Sequence, residues 1–448
     1  MTKNFLNEFI FSQILAFQYS FRMKQQEDGL WKSSVTSWQL LSERSLPKIA
    51  ILHDAFLYRG GGERLVTLMA KSLDADLITW FLSEGSFDPR ELGFSGKIIT
   101  LGSPVFAKGV RHLILKWRFF WNARILREYD IVIFSGDCLG ALRHVRNDRE
   151  KIYYCHTPPR YLYDMREEYL WGLSLLVRPI FHAAFIFFAF LYERNLKKFD
   201  RIITNSKNVQ KRLKDFTGYN SEIIYPPTDT GKFIPTSPQP SPKGEGAQVS
   251  SHFSEGEGAR WWGGYFLSFA RLSPPKRVDL IVEVFLQIPD QNLIFCYGKN
   301  DPMKEAILKK IEWRKNIIAL ESPNDTDLIS LIQNATATIY IPVDEDFGMS
   351  PVESMACGTP VIGVAEGWIL ETVIDGQTGK LIEIMNYELW IINLKQIIQK
   401  TSKEEWENMR DACIARAQEF SLEQFTELLH KKIHIFWTDT VSPYTSGQ

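Results

Sequence analysis

The 448-residue sequence predicts an α/β protein with two doubly wound domains. Short apolar runs, typical of buried parallel strands, alternate with segments whose apolar residues have helical spacing. The length exceeds what one ordinary hydrophobic core supports. A Pro-, Ser-, Gly- and Glu-rich stretch separates two such series of alternating elements. The fold class that these observations favour is therefore two parallel-sheet domains joined by a polar segment.

The domain prediction divides the chain into five segments. Residues 1–47 form an N-terminal extension that is apolar in part but has no secretory cleavage pattern, so we expect an amphipathic helix or an appendage. The remaining segments are a first α/β domain at 48–235, a low-complexity insertion or linker at 236–262, a second α/β domain at 263–420, and a helical C-terminal segment at 421–448.

The predicted strands follow from short continuous apolar runs, and the predicted helices follow from apolar residues at helical spacing. The first domain has strand-like runs at 48–53, 76–81, 130–134, 151–155 and 201–205. The second domain has them at 265–270, 292–297, 335–341 and 359–363. Helical patterns in the second half lie at 278–286, 302–312, 351–356 and 387–437.

Charge and cysteine content exclude several classes of protein. With 52 Lys+Arg against 53 Asp+Glu, the net charge of −1 argues against a nucleic-acid binder. Summing charges over each half gives +8 for 48–235 and −9 for 263–448. A basic first domain suits an anionic partner, either a phosphate-bearing ligand or a membrane surface, although two domains that attract each other would show the same asymmetry. The five scattered cysteines indicate neither a disulfide scaffold nor a thiolate zinc site and fit a reducing cytosol.

Two apolar segments of the first domain leave alternatives open. The stretch 173–192 is the most apolar, but Arg178 and Pro179 divide it, so it is short for a membrane span. It suits either a helix lying in a membrane interface or a helix buried in the first domain. The segment 114–127 mixes aromatic and basic residues and suits a membrane-facing surface or an ordinary amphipathic helix.

The strongest local signal is the segment DEDFGMSPVE at 344–353. It predicts a strand end, a loop and then a helix with Ser350 as N-cap and Pro351 in the first turn. Such a loop presents backbone N–H groups to an anion or to sugar hydroxyls. Glu345 and Glu353 can accept hydrogen bonds from paired hydroxyl groups. Alternatively, Glu353 could have no ligand and only interact favourably with the dipole at the start of its helix.

Three further motifs are weaker when each is taken alone. Arg271 and Lys276 flank a Pro-Pro turn after a strand and could together bind a diphosphate. Alternatively, they could simply be solvated side chains beside a turn. Gly60 and Gly61 open a helix after a strand, so backbone can approach a phosphate or a sugar there. His156 follows another strand, where a parallel sheet has its ligand crevice, although a lone histidine is more often structural.

The order of these motifs resembles that of the retaining glycosyltransferases of family 4. The resemblance covers about 48–417 outside the low-complexity segment and rests on ARLSPPKRVDLIVEVF, EDFGMSPVESMACGTPVIG, the glycine loop followed by Glu-Arg, and YCHTPPRYLYD. The last motif, followed by an apolar helix, looks like that of bacterial mannosyltransferases that build surface polysaccharides such as lipopolysaccharide.

The resemblance implies a GT-B architecture, in which two Rossmann-like domains flank a cleft. The first domain would bind the acceptor and the second the nucleotide sugar, and the terminal helix would cross back to the first domain. Neither a cofactor nor a metal is implied. The best single donor is GDP-mannose, with a UDP-sugar as the alternative, and the expected acceptor is a lipid-linked saccharide. We expect a cytoplasmic protein, peripheral at the membrane, and no nucleic-acid partner.

The resemblance also implies roles for particular residues. Arg271 and Lys276 would stabilise charge on the leaving diphosphate, Glu345 would contact the transferred sugar, and His156 would lie near the reacting carbon. Asn205-Ser206 matches a family stretch at the cleft, and Gly298 lies where the nucleotide base is expected. The implied donor-binding set is Gly60, Gly61, Arg271, Lys276, Gly298, Glu345, Phe347, Gly348, Met349, Ser350 and Glu353.

Two other classes of function remain open from the sequence. A glycoside hydrolase could use Glu345 and Glu353 if these carboxylates flanked the scissile bond, but the Arg271–Lys276 pair would then have no role. A non-catalytic, membrane-associated binding protein could have the same fold, because fold alone does not establish activity. A requirement for a nucleotide sugar distinguishes the transferase from both.

Overall fold

The computed structural model describes residues 47–57, 60–104, 111–233, 264–383 and 387–439. Residues 1–46 of the predicted extension and the whole predicted low-complexity segment, 236–262, lie outside the described residues, and the predicted domain boundaries stay predictions. From Ile49 onward the chain is one compact unit that contains two parallel sheets.

The first sheet has seven parallel strands in the order β3-β2-β1-β4-β5-β6-β7. The central strands consist almost entirely of buried residues, because helices cover both faces of such a sheet. The strands are β1 Ile49–His53, β2 Asp76–Thr79, β3 Ile98–Thr100, β4 Ile131–Ser135, β5 Glu150–Cys155, β6 Arg201–Thr204 and β7 Glu222–Ile223.

Five of the described helices accompany this sheet, and a sixth, Thr230–Phe233, packs on the core of the second sheet through Phe233. The helix after β6 begins and ends at residues suited to these positions, with Ser206 as N-cap, accepting from the Val209 N–H, and Gly218 at φ 76° after its last turn. The helices are α1 Gly61–Ser72, α2 Arg111–Asn122, α3 Arg166–Trp171, α4 Arg178–Leu196, α5 Lys207–Thr217 and α6 Thr230–Phe233.

The second sheet has six parallel strands in the order β10-β9-β8-β11-β12-β13. Its core is formed by apolar residues of these strands and of the helices packed on them. The strands are β8 Phe266–Ser268, β9 Leu293–Tyr297, β10 Ile317–Glu321, β11 Ala337–Tyr340, β12 Val361–Val364 and β13 Gly379–Ile382.

The helices of the second half surround this sheet, apart from the last one. Phe425, Leu429 and Ile433 of that helix are buried in the core of the first sheet. The helices are α7 Val278–Gln287, α8 Lys304–Ile311, α9 Asp325–Asn334, α10 Ser350–Ala356, α11 Ile369–Thr372, α12 Tyr387–Lys400, α13 Lys403–Asn408, α14 Arg410–Gln418 and α15 Leu422–Asp439.

The structure corrects one alternative for the apolar segment at 173–192. Helix α4 buries only Ala189, Tyr192 and Leu196, so the interpretation as a helix buried in the first domain is wrong. Five of its large apolar side chains, Ile180, Phe181, Ile186, Phe187 and Phe190, are exposed, as are several on α2 and α3. No helix in the described part of the chain is long and apolar enough to cross a bilayer.

Candidate active site

The loop between β11 and α10 brings Glu345 against Lys276. The Lys276 ammonium lies 2.6 Å from the Glu345 carboxylate and donates to the Tyr340 hydroxyl at 2.9 Å. Tyr340 is the last residue of β11, so the sheet fixes the hydroxyl that orients Lys276. The structure therefore places two predicted site residues in contact and adds Tyr340, which the sequence analysis missed because its position resembles a core aromatic.

Glu353 lies on the first turn of α10 and faces the first domain. Its carboxylate accepts from the Arg64 guanidinium across 3.4 Å, and Arg64 lies on α1 immediately after the glycine loop. Burial raises the pKa of Glu353, and the nearby Arg64 partly opposes that rise. A buried carboxylate paired with one arginine has remaining acceptor sites for a pair of hydroxyl groups.

The glycine loop of the first domain meets the second domain at Met349. Gly60 is the N-cap of α1, and a Cβ at Gly61 would lie 3.0 Å from the Met349 methyl group. A Cβ at position 61 would therefore require the flexible end of Met349 to shift slightly. The amino end of α1 lies at this contact, and its helix dipole favours an anion there.

The loop at 347–349 is fixed by close packing against the second-domain core. The Phe347 ring lies 4.0 Å from the Trp368 ring, and the Trp368 indole N–H donates to the Gly348 carbonyl at 3.0 Å. A Cβ at Gly348 would lie 2.6 Å from the Tyr340 hydroxyl, so this position requires glycine. Phe347 faces the core, which leaves its backbone rather than its ring for a ligand.

The predicted cap of α10 is wrong in detail. The helix begins at Ser350, so Pro351 is its second residue, and Met349 at the N-cap makes no side-chain capping bond. Ser350 therefore lies inside the first turn. The turn after β8 also differs slightly, since Pro274–Lys276 is a short 3-10 helix and α7 begins at Val278.

Arg271 belongs to a separate cluster organised by Asp301. The buried Asp301 carboxylate accepts from the N–H groups of Leu272 and Gly298, both at 2.8 Å, and lies 3.5 Å from the Arg271 guanidinium. The Arg271 side chain is 70% exposed, so it can reorient toward a ligand. The structure thus joins Arg271 to Gly298 through Asp301, a residue that the sequence analysis missed.

His156 lies at the end of β5 in a buried chain of hydrogen bonds. Its Nε2 is 2.6 Å from the Ser135 hydroxyl, which is 3.1 Å from Nδ1 of His53. Burial lowers the pKa of His156 to about 4 and that of His53 to about 3, so both rings are neutral near pH 7. The ends of β1, β4 and β5 are adjacent in the sheet, which explains a juxtaposition that local sequence patterns could not show.

A buried carboxylate, Asp54, follows β1 beside these residues. It accepts from the Asp137 N–H at 2.9 Å, and a Cβ at Gly136 would overlap it. Burial and the Asp137 carboxylate raise the pKa of Asp54 to about 7, and Lys116, which is paired with Asp137, opposes the rise. The first domain therefore also has a titratable group at its cleft edge.

The described part of the chain contains no group of three or more His, Cys, Asp or Glu side chains arranged around a possible metal ion. The charged groups that converge on the cleft are instead Lys276, Arg64, Glu345 and Glu353. The two carboxylates can accept hydrogen bonds from hydroxyl groups, and the two cations can bind an anion.

The two parallel sheets, with polar residues at the carboxyl ends of both, form the GT-B fold, which solved glycosyltransferase structures share. Residues 59–232 match the family model described as Glycosyltransferase Family 4, and residues 263–420 match the model described as Glycosyl transferases group 1. The two models together cover most of the chain, which belongs to the family 4 glycosyltransferases.

Curated relatives and solved structures agree with this assignment. The alpha-1,3/1,6-mannosyltransferase ALG2 of Mus musculus is 24% identical over 381 residues, covering 75% of this chain and 84% of the relative. Anabaena HepE, solved in complex with UDP and glucose, superposes with a TM-score of 0.63 at 18% identity, over 87% of this chain and 100% of that chain. Sucrose-phosphate synthase from Thermosynechococcus elongatus gives a TM-score of 0.66 at 15% identity, over 88% and 100%.

Proposed function

We propose that the protein transfers a hexose with retention from a nucleotide sugar, with GDP-mannose as the best single donor, to a lipid-linked saccharide in surface polysaccharide synthesis. The observation that carries the proposal is the convergence of Lys276, Glu345 and Glu353 opposite the start of α1. The mannosyltransferase names of the ALG2 relatives support mannose as the sugar.

The proposed mechanism assigns one task to each cluster. The bond between the sugar and the diphosphate breaks first, and Lys276 and Arg271 stabilise the negative charge that develops on the leaving diphosphate. The acceptor oxygen then bonds to the sugar carbon on the face that the diphosphate left. The acceptor proton passes to a diphosphate oxygen, so no protein base and no metal is required.

Neighbouring residues would orient the donor during this step. Glu345 accepts from hydroxyls of the sugar, Glu353 accepts from the ribose hydroxyls, and the amino end of α1 faces the diphosphate. The neutral ring of His156 approaches the reacting carbon without placing a second full cation beside the developing oxocarbenium character. Closure of the cleft would exclude water and limit hydrolysis of the donor.

A transfer assay tests this proposal. Purified protein is incubated with GDP-mannose or a UDP-hexose and a lipid-linked saccharide acceptor in vesicles, and the product is detected by mass spectrometry. We expect one donor to give product and Glu345→Gln to lower kcat/KM at least about a hundredfold, as is typical when a charge-assisted contact in the transition state is removed.

Lys310→Met is the matched control, because Lys310 lies in the second domain and pairs with Glu283 on the exposed face of α7. Product from a UDP-sugar alone would replace the GDP-mannose assignment and keep the transferase. Cleavage of a glycoside without any nucleotide sugar would favour a hydrolase instead, and absence of any reaction would favour a binding protein.

An exposed apolar surface of the first domain supports peripheral membrane binding. Helices α2, α3 and α4 lie together, since the Lys116 ammonium is 5.6 Å from the Phe188 ring and α3 contacts α4. Single exposed apolar residues are ordinary, but a contiguous patch indicates an interaction site. The large exposed apolar residues here are Trp117, Phe120, Trp121, Tyr169, Trp171, Leu175, Leu176, Ile180, Phe181, Ile186, Phe187 and Phe190.

Basic residues accompany this surface, as expected for a surface that meets anionic lipid. Arg178 lies over the Trp171 ring and Arg143 over the Phe120 ring. Lys116 is paired with Asp137, so replacing an apolar side chain tests the surface more directly than replacing Lys116. We therefore place the lipid-linked acceptor at the cytoplasmic membrane face, beside this surface.

Co-sedimentation with anionic vesicles tests the membrane proposal. We expect Leu176→Asp and Phe187→Asp each to weaken binding several-fold, because a charge replaces an inserted apolar side chain. Trp313→Asp is the matched control, since Trp313 is as exposed as Leu176 but belongs to the second domain. Equal sedimentation of all three variants and of the unchanged protein would contradict the proposal.

A further inference from the structure

Glu345 lies between two aspartates that are bound by one arginine of the first domain. Arg212 of α5 donates from Nη2 to Asp344 at 2.6 Å, and its Nη1 contacts the Asp346 carboxylate. The Arg212 side chain is 7% exposed, so it is held inside the contact between the two domains. The residue that is proposed to contact the transferred sugar is thus flanked on both sides by partners of Arg212.

Other groups at the start of α5 bind the same loop. The Asn208 amide donates to Asp344 and to the Glu345 carbonyl, both at 3.2 Å, and the Ser206 hydroxyl donates to the Asp346 carbonyl at 2.9 Å. The Arg160 guanidinium also lies 3.4 Å from Asp344, but among these groups Arg212 alone contacts both aspartates. The donor-site loop is therefore anchored to the first domain along three consecutive residues.

The same helix end is fixed to the second domain by Glu371. The Glu371 carboxylate accepts from the backbone N–H groups of Lys207 and Asn208, both at 2.7 Å. These N–H groups belong to the first turn of α5, where no helical carbonyl is available to them. Glu371 consequently holds α5 in the orientation that directs Arg212 toward the loop.

The backbone of the loop requires such support. Asp344 has φ 38°, in the left-handed region that residues other than glycine rarely adopt. A planar guanidinium can bind two carboxylates at once with fixed geometry, which a lysine ammonium cannot. Arg212 therefore fits the task of holding both ends of a strained three-residue turn.

We propose that Arg212 is a positioning residue that clamps the Asp344–Asp346 turn and so aims the Glu345 carboxylate at the donor sugar. Recognition of the sugar in the second domain then depends on a side chain of the first domain. The consequence for the sugar rests on the function proposed above, whereas the clamp itself does not.

The experiment uses two variants. Arg212→Met keeps the aliphatic part of the side chain, and Arg212→Lys keeps the positive charge but lacks the planar guanidinium that binds both aspartates. Arg201→Met is the matched control, because Arg201 joins β6 to the Lys432 carbonyl of α15 and to Glu150, away from the turn. Hydrogen–deuterium exchange of a peptide spanning 344–348 measures the clamp. Calorimetry measures the ratio of the dissociation constants for GDP and GDP-mannose, or for UDP and UDP-glucose, whichever pair binds.

We expect amide exchange at 344–348 to become at least tenfold faster in both Arg212 variants and to stay unchanged in Arg201→Met. We also expect affinity for the nucleotide sugar to fall about tenfold while affinity for the nucleoside diphosphate stays within twofold, because only the sugar contacts Glu345. A merely structural role would weaken both ligands equally, and that result would overturn the proposal.

Unchanged exchange at 344–348 would also overturn it, whatever the ligand data show. If the unchanged protein bound no nucleotide sugar, the proposed function would fail, and the exchange measurement alone would decide whether Arg212 clamps the turn. The two failures are therefore distinguishable.

Discussion

At the scale of single residues, the site depends on groups that act through their neighbours. The Ser135 hydroxyl has one proton and lies between ring nitrogens of His53 and His156. It can donate to only one of the two rings and must accept from the other, so the tautomers of the two histidines are coupled. Ser135 thereby links the tautomer of His156 to that of His53.

Replacing Ser135 by Ala should lower both stability and turnover. Two ring nitrogens lose their partner, which we expect to cost about 1–3 kcal/mol of unfolding free energy. The His156 tautomer would no longer be linked to that of His53, so the ¹⁵N chemical shifts of His156 should change. Ser268→Ala is the control, because Ser268 is equally buried on β8 and its hydroxyl has no hydrogen-bond partner in the described part of the chain. Unchanged His156 shifts in Ser135→Ala would refute the coupling.

Asp54 gives a prediction about pH. Its pKa is raised from an ordinary value of 3.8 to about 7 by burial and by Asp137, so between these values the folded protein holds a proton that the unfolded chain releases. The protonated carboxyl therefore contributes stability at low pH that is lost as pH rises toward 7. Relative to Asp54→Asn, the unchanged protein should gain up to about 1.4 kcal/mol for each pH unit between 7 and 4.

Urea unfolding of both proteins at several pH values measures this difference. Groups such as His53 titrate in both proteins, so their contributions largely cancel in the comparison. A stability difference that does not change with pH would show that Asp54 titrates normally.

At the scale of elements, the sequence predicted the central strands and missed the edges. The four strands without a prediction, β3, β7, β10 and β13, are the edge strands of the two sheets. Central strands are buried on both faces and read as continuous apolar runs, whereas half or more of the residues in each edge strand are partly exposed. The pattern that identifies a buried strand is therefore absent where the sheet ends.

The loop between β11 and α10 gives a prediction at the scale of elements. In Gly348→Ala the new methyl group would lie 2.6 Å from the Tyr340 hydroxyl, which orients Lys276. We expect a loss of about 1–3 kcal/mol in unfolding free energy and weaker donor binding, because the loop must shift.

Gly62→Ala is the matched control, since a Cβ there meets nothing within 4 Å and Gly62 lies inside α1. It should stabilise the protein by about 0.5–1 kcal/mol. Equal melting temperatures for the two glycine variants would contradict the packing described for Gly348.

At the scale of the whole molecule, the cleft is formed by contacts that no local pattern contains. The motifs identified Lys276, Glu345 and Glu353 as candidates, but Arg64 and Arg212 meet their partners only after both domains have folded. Tyr340 and Ser135 resemble ordinary core residues in sequence, because their hydroxyls become informative only beside Lys276 and His156. The family resemblance indicated that the motifs form one site, and the structure shows which residues contact them.

The central claim is that a nucleotide sugar binds in the second domain beside Lys276 and Arg271. Calorimetric titration with GDP and with UDP, in the unchanged protein and in an Arg271→Ala, Lys276→Ala double variant, tests it most directly. We predict that one nucleotide, with GDP favoured, binds the unchanged protein and that its affinity falls at least a hundredfold in the double variant, since two charge-assisted contacts are lost. Binding that survives both substitutions, or the absence of binding by either nucleotide, would contradict the claim.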